Sequence, residues 1–493
     1  MQPANLRRTI PFGKEHSPAF LATHLAILLL AAALRFNNLG ERSFWGDEII
    51  SATAVREPVL SIIQYTASDW GPPPVSYLLL RGWGQLVGES EFALRSLSVF
   101  FGVLSLPLLY QAGRYLLHCS VGLLASFVLA LSTLHIAYSQ ELRPYSLLLF
   151  WVVVVALAFL RALRRGKYQL WVRTGLLAGL AYYSHQYILL FVGILAAWGA
   201  LLMTSHAARA SALQTFNIRA EARELGAGLG LMLLAMSVVV LPWYLLAGGL
   251  VGGAGWAMVR IGVSFLRESL LIAGTSLLSG YLPLAILLGA LALVGLRRAA
   301  RQSWAVALLL CGWIVLPLPA FMVIDLLSNY PFYGRQMLLS LPGLSILCGA
   351  GLATIQTAIP ARPRKQVGIL LVLGLLMTLT LVPLRAVYEP DAHDWRELGR
   401  FLGRVVQADE VVMAPRTSLY VEYYYERIGG APVPIIPSAT AAEMERGFGE
   451  HRAVWFVWSD DYLELVPEIE DAASTFLANK AKVEVLSLGP HTQ

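Results

Sequence analysis

Two adjacent acids, Asp47 and Glu48, close the aromatic segment Phe44-Trp45-Gly46-Asp47-Glu48. A carboxylate in such a place can take a proton from a hydroxyl, provided its pKa and reach suit the task. Acids also favour the first turn of a helix, so a solvated helix start explains the pair as well. A second acid lies in Tyr138-Ser139-Gln140-Glu141-Leu142-Arg143-Pro144-Tyr145. Glu141 either pairs with Arg143 or faces the same cavity as Asp47, where it would orient a substrate, bind a cation or share a proton. Neighbouring carboxylates push each other's pKa values apart, as acid–base sites require. A third segment, Tyr330-Pro331-Phe332-Tyr333-Gly334-Arg335, offers a guanidinium. It would grip a phosphate through two parallel hydrogen bonds, or snorkel to lipid headgroups. His185 could donate to a phosphate or sugar, or serve only packing. His24, mid-span, reads as a packing residue, and Arg260, Arg267 and Glu268 as an interfacial amphipathic face.

These groups need a scaffold, and composition says which kind. The chain has 493 residues, 57% hydrophobic and 14% charged, with a mean hydropathy of +0.62. Soluble domains carry about 25% charged residues. A spanning helix needs about 20 apolar residues, and about eleven such runs are expected. They lie near 19–38, 92–113, 120–137, 144–161, 171–184, 186–204, 225–247, 270–296, 303–325, 336–358 and 367–386. The runs are too long for barrel strands. The first has basic residues before it and no small-residue cleavage site, so it reads as a retained signal anchor.

The net charge of +6 does not point to nucleic acid, because Lys and Arg cluster between apolar runs as topology signals do. Arg7, Arg8 and Lys14 fall on one side of the membrane with Arg161, Arg164, Arg165 and Lys167, and with Arg209, Arg219 and Arg223. So do Arg297, Arg298 and Arg301, and Arg362, Arg364 and Lys365. That side is expected to be the cytoplasm, which puts the C-terminus outside a multi-pass inner (cytoplasmic) membrane protein. Cys119, Cys311 and Cys348 lie in or beside apolar runs and imply no disulfide framework.

Two expected outer regions are large. Residues 39–91 contain a short amphipathic helix over 57–66, Pro72-Pro73-Pro74, and a second helix over 75–86 that suits the interface plane. From 388 to 493 helical and strand patterns alternate, which predicts a small α/β domain. It has no G-x-G-x-x-G or P-loop and therefore no assigned nucleotide chemistry; a structural or acceptor-guiding cap is its plain reading. Residues 1–387 form the transmembrane unit.

The chain resembles the GT-C class of polyprenyl-phosphate-sugar glycosyltransferases, on the branch of protein O-mannosyltransferases and the lipid A aminoarabinose transferase. The resemblance spans nearly the whole chain. It rests on Trp45-Gly46-Asp47-Glu48, on Pro72 to Leu79, on Gly88-Glu89-Ser90-Glu91-Phe92-Ala93-Leu94-Arg95-Ser96-Leu97, and on Tyr138 to Tyr145. Gly179-Leu180-Ala181 with Ser184-His185, and Gly334-Arg335 ahead of Leu341-Pro342, complete it. It implies one-step inverting transfer from a sugar on a polyprenyl phosphate to a glycan, lipid or protein acceptor. Asp47 would be the general base, Glu48 its support and Glu141 the second acid. Arg335 would stabilise the departing phosphate, with His185, Tyr333, Arg143 and Tyr145 as further substrate contacts. Many relatives carry a His before the Pro pair; here Trp70-Gly71-Pro72 stands there, and Asp69 is the candidate to fill part of its role. Some members use a divalent cation, which Asp47 and Glu141 would hold; mannosyltransferase-like ones generally do not.

A transporter or flippase is the rival reading. It would bury acids within broken spans at the midplane, whereas the conspicuous acids here fall in predicted outer loops. A membrane scaffold would leave Asp47, Glu141 and Arg335 without purpose.

Overall fold

The computed structural model describes residues 17–68, 73–216, 221–247, 263–328, 332–358, 362–389, 394–414, 417–429, 432–437 and 452–457. In chain order the helices are α1 (Pro18–Phe36), α2 (Gly46–Thr53), α3 (Val59–Ser68), α4 (Val75–Val87), α5 (Glu91–Leu116), α6 (Cys119–Leu131) and α7 (Thr133–Ser139). They continue as α8 (Tyr145–Arg165), α9 (Tyr168–Ser184), α10 (Ile188–Thr204), α11 (His206–Phe216), α12 (Ala222–Leu246), α13 (Val263–Leu278) and α14 (Leu282–Gln302). After α15 (Trp304–Val315) and α16 (Pro317–Ser328) comes a 3₁₀ turn, Gly334–Ser340, then α17 (Leu341–Ala358) and α18 (Arg362–Tyr388).

Among the described residues eight helices are long and apolar enough to cross a membrane, or ten if two bent pairs each count as one span. One bent pair is α6 with α7, the other α10 with the start of α11. Helix α9 has 17 residues, at the short end of what can span. Leu29, Leu293 and Leu371 are 62–70% exposed, and exposed leucines on such helices require a lipid surround. The protein is a multi-pass, mostly helical membrane protein. Where 270–296 reads as one span, the structure breaks it: α13 ends at Leu278, Ser279 takes φ 87°, and α14 restarts with Pro283 in its first turn. A non-glycine residue in the left-handed region ends a helix, and a proline at the start of the next one is well tolerated. The apolar pattern runs through both and hides the break.

Helices α14 and α17 touch through their backbones, because a Cβ on Gly295 would lie 1.9 Å from the Leu347 carbonyl oxygen. Such close approach stands in for the hydrophobic driving force that lipid removes. The break between α6 and α7, at 63°, decides where the 140–144 loop goes. It frees the carbonyls of Leu129 and Ala130, and buried Arg35 donates to both, at 3.2 and 3.1 Å. The same guanidinium meets His135 Nδ1 at 2.7 Å. Gln140 then donates to the Arg35 and Asn37 carbonyls at 3.1 and 2.6 Å. The loop bearing Glu141 and Arg143 is thus tied to the end of α1, from which the Asp47 segment leaves.

Beyond α18 the character changes, as expected. Helix α19 (Trp395–Val405), strand β1 (Val411–Met413), helix α20 (Ser418–Arg427) and strands β2 (Ile435–Ile436) and β3 (Val454–Phe456) follow. The strands form a parallel sheet in the order β2-β1-β3. Val412 pairs with Ile435 on one side and Trp455 on the other. The helix and strand expected over 467–488 lie outside the described residues.

Candidate active site

Helix α2 begins at Gly46 and carries Asp47 and Glu48 in its first turn. The two acids face different surroundings. Asp47 keeps a third of its side chain exposed, and its Oδ2 sits 3.3 Å from Arg143 Nη2 and 3.6 Å from Arg335 Nη1. Arg143 also donates to the Asp47 carbonyl at 3.1 Å and to Ser51 Oγ at 3.4 Å. One carboxylate therefore confronts two guanidiniums that come from the α7–α8 loop and from the 3₁₀ turn.

Glu48, expected to support Asp47 in catalysis, is instead fully buried and saturated. Arg95 Nε and Nη2 donate to its two oxygens at 2.8 and 2.6 Å. The Leu142 and Trp45 amides donate at 2.7 and 3.3 Å. Arg95 in turn donates to the Leu39, Arg42 and Ser43 carbonyls. With four donors in place, Glu48 ties the first turn of α2, beside Asp47, to α5 and to the 140–144 loop. Arg95, quoted in a motif yet given no role, is its partner.

Glu141 Oε2 is buried without a hydrogen-bond partner. Burial, and then the charge of Glu48, push its carboxyl up to about 8. At pH 7 it is mostly protonated and offers a proton to a neighbour. His185 is buried between the rings of Tyr145 and Tyr187, with centroids 5.5 and 4.3 Å away. Burial, with the charges of Arg143 and Arg335, lowers its pKa to about 3. Its Nδ1 accepts from the Tyr187 amide at 3.2 Å, so the neutral ring carries its hydrogen on Nε2 and can donate once.

Arg335 is gripped by aromatic faces, 4.3 Å from the Tyr333 ring centre and 5.8 Å from that of Tyr145. Arg143 lies 6.0 Å from the same Tyr145 ring. Behind the 3₁₀ turn, Gln336 Nε2 donates to both oxygens of Asp325 at 3.0 and 2.9 Å, and its Oε1 accepts from the Tyr333 amide at 3.2 Å. Asp325 and Gln336 escaped the sequence reading because both sit inside apolar stretches. Asp69 lies outside the described residues. The structure therefore gathers Asp47, Arg143 and Arg335 into one charge cluster, with Tyr145 and Tyr333 against its guanidiniums and His185 against Tyr145.

A hollow opens beside Arg143, lined also by Ser51, Ser76, Tyr77 and Phe101. A second mixes Leu284, Leu344 and Leu376 with Ser276, Ser279 and Thr380. Ser276 on its wall packs against the 3₁₀ turn, where a Cβ on Gly334 would meet Ser276 Oγ at 2.3 Å. Among the described residues no three His, Cys, Asp or Glu side chains converge as a metal site. Two guanidiniums beside Asp47 oppose a dication there, so the residues present do not favour a cation held between Asp47 and Glu141.

Residues 72–243 match the family described as dolichyl-phosphate-mannose-protein mannosyltransferase. No curated protein matches the chain in sequence. Among solved structures, ArnT from Cupriavidus metallidurans in the apo state is 16% identical, covering 91% of this chain and 94% of its own, with a TM-score of 0.57. The same protein bound to undecaprenyl phosphate gives 16%, 91% of each chain and 0.55. The oligosaccharyltransferase AglB from Archaeoglobus fulgidus, in complex with an inhibitory peptide and a dolichol-phosphate, is 14% identical with a TM-score of 0.53. That match covers 82% of this chain, which spans just under two thirds (63%) of that protein. The shared architecture is the GT-C fold.

Proposed function

Starting from a GT-C glycosyltransferase by fold and by partial family match, we propose that this chain moves a sugar from a polyprenyl phosphate to an acceptor nucleophile in one inverting step. The reaction takes place at the extracytoplasmic face of the inner membrane. The positive-inside pattern supports that side, with the N-terminus cytoplasmic and the C-terminal unit outside. The carrying observation is the meeting of Asp47 with Arg143 and Arg335 at 3.3 and 3.6 Å.

In this reading the donor phosphate takes over the two guanidiniums, which match its geometry better than a lone carboxylate does. That exchange frees Asp47 to accept the acceptor's proton while its oxygen attacks the anomeric carbon. The glycosidic C–O bond to phosphate breaks, and the charge gathering on the leaving group is met by Arg335 and Arg143. Neutral His185 donates to the same phosphate from Nε2. Protonated Glu141, buried near Arg143 and Arg335, adds no further negative charge beside the phosphate. Leucines of the second hollow, by Ser276, offer the lipid chain apolar surface.

The test incubates purified protein with polyprenyl-phosphate sugars and measures free polyprenyl phosphate. Turnover in the parent, together with its loss in Asp47→Asn at unchanged donor binding, is the expected result. Full turnover in Asp47→Asn removes the base role.

A further inference from the structure

The C-terminal unit is joined to the catalytic segment by more than the chain. Helix α20 lies against 43–46, the residues that lead into Asp47. Tyr424 Oη accepts from the Phe44 amide at 2.6 Å and donates to Glu91 Oε1 at 3.1 Å. Tyr420 Oη accepts from the Gly46 amide at 3.1 Å. Both rings are buried, and Phe44 between them is fully so. Gly46 allows the approach, since a Cβ there would lie 3.2 Å from the Tyr420 oxygen. Trp395 of α19 stacks on Tyr420 at 4.4 Å and donates its amide to Ser43 Oγ at 3.3 Å. Arg396 donates to the Gly40 carbonyl at 2.8 Å and to that of Glu41, and Arg427 to that of Glu89 at 2.7 Å.

The first amides of a helix have no partner within it and need an outside acceptor. Ordinarily a Ser, Thr, Asp or Asn at the N-cap supplies one. Helix α2 has Trp45 at that position, and no side chain of its own caps it except Glu48, which binds back to the Trp45 amide. The acceptor for Gly46 comes from α20, 374 residues away in sequence. The proton that Tyr424 gives to Glu91 makes its oxygen the better acceptor for Phe44, because hydrogen bonds in a chain polarise one another.

We propose that Tyr420 and Tyr424 are positioning residues for the reaction: the Tyr420 hydroxyl caps α2 at Gly46, the Tyr424 hydroxyl anchors Phe44 just ahead of it, and together they fix Asp47 against Arg143 and Arg335. The inference rests on the base role assigned to Asp47. The tail is then a working part of the catalytic centre, and not only a lid over it. A small displacement of a reacting group costs rate without costing affinity for the rest of the substrate.

The test uses the full chain with both tyrosines changed to phenylalanine, which keeps the rings and their packing and removes only the hydroxyls. Turnover should fall about tenfold while donor KM stays within about twofold. Peptide-level amide exchange over residues 40–50 should quicken, with α5 and the rest of α20 unchanged. Unaltered turnover and unaltered exchange over 40–50 would overturn the proposal. So would exchange that rises evenly through α5 and α20, since the hydroxyls would then merely hold the fold. Asp47→Asn runs in parallel. If it turns over normally the base role fails, whereas an inactive Asp47→Asn beside a fully active double phenylalanine variant sinks only the capping role.

Discussion

Asp47 and Glu48 are neighbours in one helical turn, yet their surroundings separate a partly exposed carboxylate, proposed as the base, from a sealed one. Glu48 and Arg95 are 1% and 3% exposed and form a closed unit in which each hydrogen-bonding direction is filled. Asp47 is a third exposed and meets its two arginines in ion pairs of 3.3 and 3.6 Å that are open to competition from solvent. A saturated buried pair resists change, because removing one partner strands the other in low dielectric. An open cluster of one carboxylate and two guanidiniums carries a net positive charge, which suits the anion proposed to enter it. Identical chemistry in adjacent residues becomes framework or machinery according to how many donors reach it.

The comparison breaks most sharply if the two acids respond alike to substitution. Asp47→Asn should cut turnover about a thousandfold and leave the melting temperature in detergent unchanged; a large loss of stability there would make Asp47 a second staple. Glu48→Gln should do the reverse, lowering stability by about 3 kcal/mol while the molecules that remain folded keep their donor KM. A thermal melt alongside turnover per folded molecule separates the two. Arg335→Ala should reduce kcat/KM about a hundredfold and weaken binding of polyprenyl phosphate itself, measured by titration without acceptor.

The smallest effect concerns Glu141, whose carboxyl is raised to about 8 by burial and the nearby Glu48 charge. It is protonated below that pH and ionises above it, so turnover should decline as pH rises through about 8. Glu141→Gln, always neutral and still a donor, should flatten that alkaline limb and change the rate at pH 7 by only a few-fold. An alkaline limb that survives the substitution assigns the titration to another group.

Much of this was legible in residues 1–493 without coordinates. The spans show in runs of apolar residues, the amphipathic helices in patterning read over 57–66 and 75–86 and observed at Val59–Ser68 and Val75–Val87, and the tail in its alternation of elements. All are local signals written within about 20 consecutive residues. Asp47, Glu141 and Arg335 stood out because charge beside an apolar run is costly and hence conspicuous. The break at Ser279 did not, because the apolar pattern continues across it.

Meeting places are another matter, since sequence distance carries no information about which loops a bundle gathers. Arg143 reaches the Asp47 carbonyl across 96 residues, and Tyr424 reaches Phe44 across 380. The division between Asp47 and Glu48 hangs on Arg95 and the Leu142 amide, one in a spanning helix and one in a loop. Hydropathy, a sum over neighbours along the chain, determined that this protein lives in a membrane and where its acids stand. Only the packing of helices, through the α6–α7 bend and the grip of α20, decided which acid faces the cations and which is sealed away.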